Sequence, residues 1–181
     1  MITSTTPSHA RRRLLSAMAL PALAATASLL PRFAHAAKLQ DMALALVEKY
    51  KLGHSLPQVG LQIAAKSPEY QALIDKMGQQ QAGQAMIAAT RTVAADYQKR
   101  WDTQLANAYA QNFNEAQLKS LLDQGPQSPH AQLMQSKQAD INRMMQQSSS
   151  SLLREMMAKA YAKAQQPAQA PSPAAAKKQK P

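Results

Sequence analysis

From Leu39 onward the apolar residues of this chain recur every three or four positions, and no stretch of any length alternates apolar with polar as a strand would. In "LQDMALALVEKY" the positions Leu39, Met42, Ala43, Leu46, Val47 and Tyr50 fall on one helical face. Gly53 follows as a candidate left-handed C-cap, which predicts a first helix closing near Leu52. A second short helix is expected behind Ser55 as N-cap, with Leu56, Val59, Gly60 and Ile63 as its stripe. Ser67-Pro68 ends that helix and opens a third, because proline in the first turn lacks only an N–H that would have had no partner. Tyr70, Leu73, Ile74 and Met77 form its apolar side. The run from Gly78 to Gly83 predicts a kink or short loop, since each glycine costs a helix about 1 kcal/mol.

The strongest periodic stretch starts at Gln84. Met86, Ile87, Thr90, Val93, Ala94, Tyr97, Trp101, Leu105, Ala108 and Tyr109 share one side of it, and Trp101 reads as a core anchor. Next comes "NFNEAQLKSLLDQGPQSPHAQL", which has a helix start on each side of one break. Asn114 is an N-cap, Gln117 can close a capping box, and Phe113 and Leu118 occupy the two positions of a hydrophobic staple. Gly125-Pro126 stops that helix, and Ser128-Pro129 is expected to start the last one, making a helical hairpin with a stiff turn. The last helix is expected to run from Pro129 to about Ala164. Leu133, Lys137, Ile141, Met144, Met145, Leu152, Met156 and Ala160 lie on its inner side, and Ser148 to Ser151 form a weak point. The sum is an all-α single domain, a helical-hairpin bundle of about five to six helices.

Composition changes this picture at the ends. "HARRRLLSAMALPALAATASLLPRFAHAAK" has a basic start, an apolar run from Leu14 to Leu30, and a small-x-small close at Ala34-His35-Ala36. That pattern predicts an export signal over residues 1–36, cut between Ala36 and Ala37. The apolar run is shorter than the roughly 20 residues of a spanning helix and contains Pro21, which argues against a permanent anchor and leaves membrane contact to the uncut signal. Arg11 and Arg12, followed after Arg13 by Leu14 and Leu15, resemble the twin-arginine export motif, with the general secretory route as the alternative. Either route implies the periplasm. After Gln165 no large apolar residue remains, so a helical domain over 37–165 and a disordered Pro/Ala/Lys-rich tail over 166–181 are expected.

The net charge of +11 suggests a binder of polyanions until its distribution is examined. Between Ala37 and Ala158 there are twelve Lys/Arg against ten Asp/Glu, so the body is nearly neutral and the excess is terminal. Together with few aromatic residues, this argues against nucleic acid as a partner. The tail lysines Lys177, Lys178 and Lys180 are instead candidates for contact with an anionic envelope surface, or with an envelope protein.

The order "YAQNF-NEAQLKSLL" followed by Ser-Pro resembles a bacterial envelope family known as domain of unknown function 2059. Phe113, Asn114, Glu115, Leu118, Lys119, Leu121, Leu122, Ser128, Pro129 and Gln132 carry the likeness. Gly125-Pro126 stand where the family has an aromatic pair, one extra residue precedes Ser-Pro, and Ala131 and Leu133 replace its Gly and Lys. The resemblance implies an exported, all-helical domain and carries no activity with it.

Candidate chemistry is sparse. There is no cysteine, which excludes disulfides, thiolate metal sites and a cysteine nucleophile. No G-x-S-x-G, H-E-x-x-H or S-x-x-K pattern occurs, so no catalytic residue and no cofactor is assigned. His130 and Met134, four apart on one helix face, are candidates for a soft Cu(I) site, although Met134 also fits the apolar stripe. The expected function is that of a non-enzymatic envelope interaction or accessory protein. A small periplasmic metal or ligand carrier using His130 and Met134 is the alternative, and an envelope hydrolase a more distant one.

Overall fold

The computed structural model describes residues 30–166, which form eight α-helices, one 3-10 turn and no strand. One helix organises the rest. The residues Gln79–Asn112 make α4, which at 1.5 Å per residue is about 51 Å long. It buries Met86, Val93, Tyr97, Trp101, Leu105 and Tyr109 among others, and α1 (Leu30–Lys49), α2 (Leu56–Ala64), α3 (Pro68–Met77), α7 (Gln138–Ser148) and α8 (Ser150–Ala164) all pack on it. The helix α5 (Glu115–Gln124) lies outside this array, on α1. After it come the 3-10 turn Gly125–Gln127 and the short α6 (Ala131–Ser136).

The all-α expectation holds, with more helices than the five or six anticipated. Three differences have clear causes. Gly83 does not interrupt α4, because Ala82 and Met86 on either side of it are buried and their packing outweighs the glycine's intrinsic cost; the break is confined to Gly78, at φ 81°. The last segment is divided at Lys137 and at Ser149, and only α7 and α8 of its three parts reach α4. Ser149, within the expected weak point, is fully buried at the second of these breaks. Finally, α5 does not run along α6 as one arm of a hairpin. It is held by α1, whose Lys49 Nζ (2.7 Å) and, just past its end, the Tyr50 hydroxyl (3.2 Å) both donate to the Leu122 carbonyl in the last turn of α5.

The first helix closes earlier than expected and with a different residue. Leu52 N–H donates to the Val47 carbonyl and Lys51 N–H to that of Glu48, the paired bonds of a Schellman motif. The left-handed position is Lys51, at φ 54°, not Gly53. Gly53 instead meets α4: its carbonyl accepts from Gln98 Nε2 at 2.9 Å, and an added Cβ would lie 1.8 Å from Asp102 Oδ1. The glycine lets the loop touch the long helix.

Caps divide in the same way. Asn114 and Gln117 form the capping box, each side chain 3.0 Å from the other's backbone N–H, with the staple residues Phe113 and Leu118 buried. Ser67 caps α3, accepting from the Tyr70 N–H at 3.2 Å. Ser55 does not cap α2, because its φ −74° and ψ −6° are already helical and a capping side chain needs extended backbone. Ser128 stands two residues too early: its hydroxyl accepts the His130 N–H at 3.1 Å in a local turn, and α6 begins only at Ala131.

Candidate functional site

The residues singled out in the sequence fall into three groups. Arg11, Arg12, Leu14 and Leu15, and at the other end Lys177, Lys178 and Lys180, lie outside the described residues. Ala36 and Ala37 lie within α1 and are exposed, as are His35 and Lys38; from His35 onward the first side chain packed against the core is Leu39. The signature residues Phe113, Leu118, Leu121 and Ser128 are buried, and Pro129 is exposed at the turn. They work as a joint, in which the hydroxyls of Ser120 and Ser128 pair at 2.9 Å and link α5 to the segment before α6.

His130 and Met134 stand one helical turn apart, the Met134 N–H donating to the His130 carbonyl at 2.9 Å. Met134 packs against the core and lines a recess of about 420 Å³ with Leu46, Tyr50, Leu52, Leu121 and Pro126, and His130 is not among its walls. Among the described residues no group of three or more His, Asp or Glu side chains is placed to hold a metal ion.

Two carboxylates with shifted protonation lie between helices on open surface. Glu155 of α8 accepts from the Tyr97 hydroxyl (2.8 Å) and from Arg100 Nη1 (3.1 Å), both on α4. These hydrogen bonds, followed by the charges of Arg100 and Lys159, hold its carboxyl below the usual carboxylate range. Arg100 and Lys159 also flank the Tyr97 ring, at 5.5 and 5.1 Å from its centre. Glu115, paired with Lys38 of α1, is lowered for the same reason, the hydrogen bond from Lys38 coming first. Carboxylates held ionised in this way clamp helices; a general acid would need the opposite shift.

Two open grooves border the end of α8. One, of about 620 Å³, lies between α8 and the α2–α3 corner and contains the hydrogen-bonded hydroxyls of Ser67 and Tyr161, with Glu69 and Arg154 nearby. Burial, with a smaller contribution from the Glu69 charge, pushes the Tyr161 phenol up, so it stays protonated and the pair joins the start of α3 to α8. The other, of about 840 Å³, has α4 as its floor (Gln84, Ala85, Ala89) and walls from α3, with Lys76, and from α8, with Lys163 and Gln166. Sequence reasoning missed this groove. Lys76 and Lys163 were legible only as basic residues in the last turns of their helices, where a cation suits the helix dipole.

The fold defines a class, an all-α array assembled on one long helix, and no helix among the described residues is long and apolar enough to cross a membrane. Comparison with family models, with curated proteins and with solved structures finds no match for the chain.

Proposed function

We propose that the chain is an exported protein of the bacterial envelope, processed after Ala36, that works in the periplasm by binding a partner and not by catalysis. The observation that carries this reading is the position of Leu39. The residues His35 to Lys38 are exposed and Leu39 packs against the core, so a cut at the expected site falls in an exposed stretch of α1. The reading also draws on the shifted carboxylates, which serve as clamps between helices, and on the signature residues, which serve as a joint. Membership of domain-of-unknown-function family 2059 belongs to the same proposal and rests on the stretch from Phe113 to Pro129.

The test has two parts. Fractionation of expressing cells, followed by mass determination, should find the protein in the periplasmic fraction beginning at Ala37. Affinity capture from envelope extract should then retain a specific partner. Retention of the full-length form in the cytoplasm would overturn export, and turnover of a peptide or cell-wall substrate by the purified protein would overturn the non-enzymatic assignment.

A further inference from the structure

The 840 Å³ groove is a site that neither the sequence motifs nor the family signature points to. Its chemistry is one-sided. Lys76 enters from the last turn of α3 and Lys163 from the last turn of α8; both are exposed, and neither makes an ion pair among the described residues. No Asp or Glu lines it. Gln81, Gln84, Gln165 and Gln166 line it as well, and their amides each offer donors and an acceptor. Ala85, Ala88 and Ala89 keep the floor low. From Gln81 to Thr92 the floor follows α4 for about 16 Å, the length of roughly five extended residues.

We propose that this groove binds an acidic peptide segment of a partner protein, with carboxylates on Lys76 and Lys163 and the partner's backbone amides on the four glutamines. Charge complementarity and the matched amide chemistry favour a peptide. A sugar strand would be expected to stack on an aromatic side chain, and none lines the groove; a lipid surface is flat where this site is concave. The sequence extends the same logic. The chain continues from Gln166 on the groove's rim, carries Lys177, Lys178 and Lys180, and contains no acidic residue after that point. Those lysines can add attraction around the bound segment, weaker in salt than that of the groove itself.

This inference deepens the partner-binding reading and rests on it. The experiment uses the chain from Ala37 to Pro181 and a fluorescent, capped decapeptide of alternating glutamate and alanine, with the lysine–alanine decapeptide as control. Saturable binding of the acidic peptide alone is expected. The pair Lys76→Glu with Lys163→Glu should weaken it by about ten-fold or more, and Lys76→Gln with Lys163→Gln by less. Both variants should stay folded, because the two side chains are exposed, with the Glu pair melting somewhat below the Gln pair since a carboxylate in a helix's last turn opposes its dipole. Replacing Lys177, Lys178 and Lys180 by Gln should produce the smaller loss, and one that fades at high salt. Equal binding by the Lys76/Lys163 variants, or equal binding of the control peptide, would overturn the groove. Failure of the peptide, with phosphatidylglycerol vesicles binding in a Lys76- and Lys163-dependent way, would overturn the peptide as its occupant. If the charge-reversed protein still captures the same envelope partner, the groove assignment falls and the partner-binding reading stands; if the parent captures nothing, the partner-binding reading falls and takes the partner's segment with it.

Discussion

Lys51 is the residue most at odds with its backbone. It takes the left-handed position that closes α1, at φ 54°, where a Cβ costs roughly 1 kcal/mol and glycine costs little. The side chain is exposed, so Lys51→Gly should raise stability by about 0.5–1 kcal/mol in a urea melt, with no change in the slope of the transition. Gly125 is the opposite case. It combines φ 55° and ψ −123° with a close approach to Tyr50, whose hydroxyl would be 2.5 Å from an added Cβ. Gly125→Ala should therefore destabilise by roughly 1–3 kcal/mol from the backbone alone, with the Tyr50 collision added to it. The same measurement reads both. The two positions also mark how far single residues speak for themselves: Gly125 beside Pro126 is readable as a stop, whereas nothing local places Lys51 and not Gly53 in the left-handed turn. Gly53 is taken up by its approach to Gln98 and Asp102, on a helix about 45 positions away.

At the scale of the element, what is local was legible and what is tertiary was not. The start of α5 is fixed by neighbours in sequence, Asn114 with Gln117 and Phe113 with Leu118, and all four are placed as their spacing predicts. Asn114→Ala should accordingly cost about 0.5–2 kcal/mol, and Asn114→Ser much less, in thermal melts of the same protein. The course of α4 through Gly83 could not be read the same way, because the stabilisation that overrides the glycine comes from helices packed across Ala82 and Met86. The last segment reverses the case. Its apolar positions suggest one helix from Leu133 to Ala160 with a single weak point at Ser148 to Ser151, yet the chain is divided at Lys137 as well as at Ser149. Only α7 and α8 lie along α4, while α6 stays with the turn before it. Periodicity gives the buried side of a helix and is silent on whether its axis is straight.

Across the whole molecule the helices are fastened on open surface by ion pairs and in the interior by apolar packing, and pH acts on the two differently. Glu155 and Glu115 have folded values below the ordinary 4.5, so the stability they contribute is present above that value and is lost as pH falls through the folded one. Tyr97→Phe removes the largest cause of the Glu155 shift and should make the acid limb of a stability–pH profile shallower. Tyr109, stacked on Phe113 at 5.8 Å, is pushed up to about 12 by burial. Its contribution is full below pH 10 and is lost between pH 10 and 12, amounting to roughly 3 kcal/mol at the upper end; Tyr109→Phe should remove that part of the alkaline decline. The sequence by itself determined the helical class, the starts of α2, α3 and α5, much of the buried face of the longer helices and the Asn114–Pro129 joint, because periodicity, capping and proline chemistry act within a few residues. The tertiary structure alone decided that α5 leans on α1, that Met134 packs against the core, and that Lys76 and Lys163 face one groove. Those relations join separate helices, most of them dozens of positions apart, and only packing around α4 sets their distance.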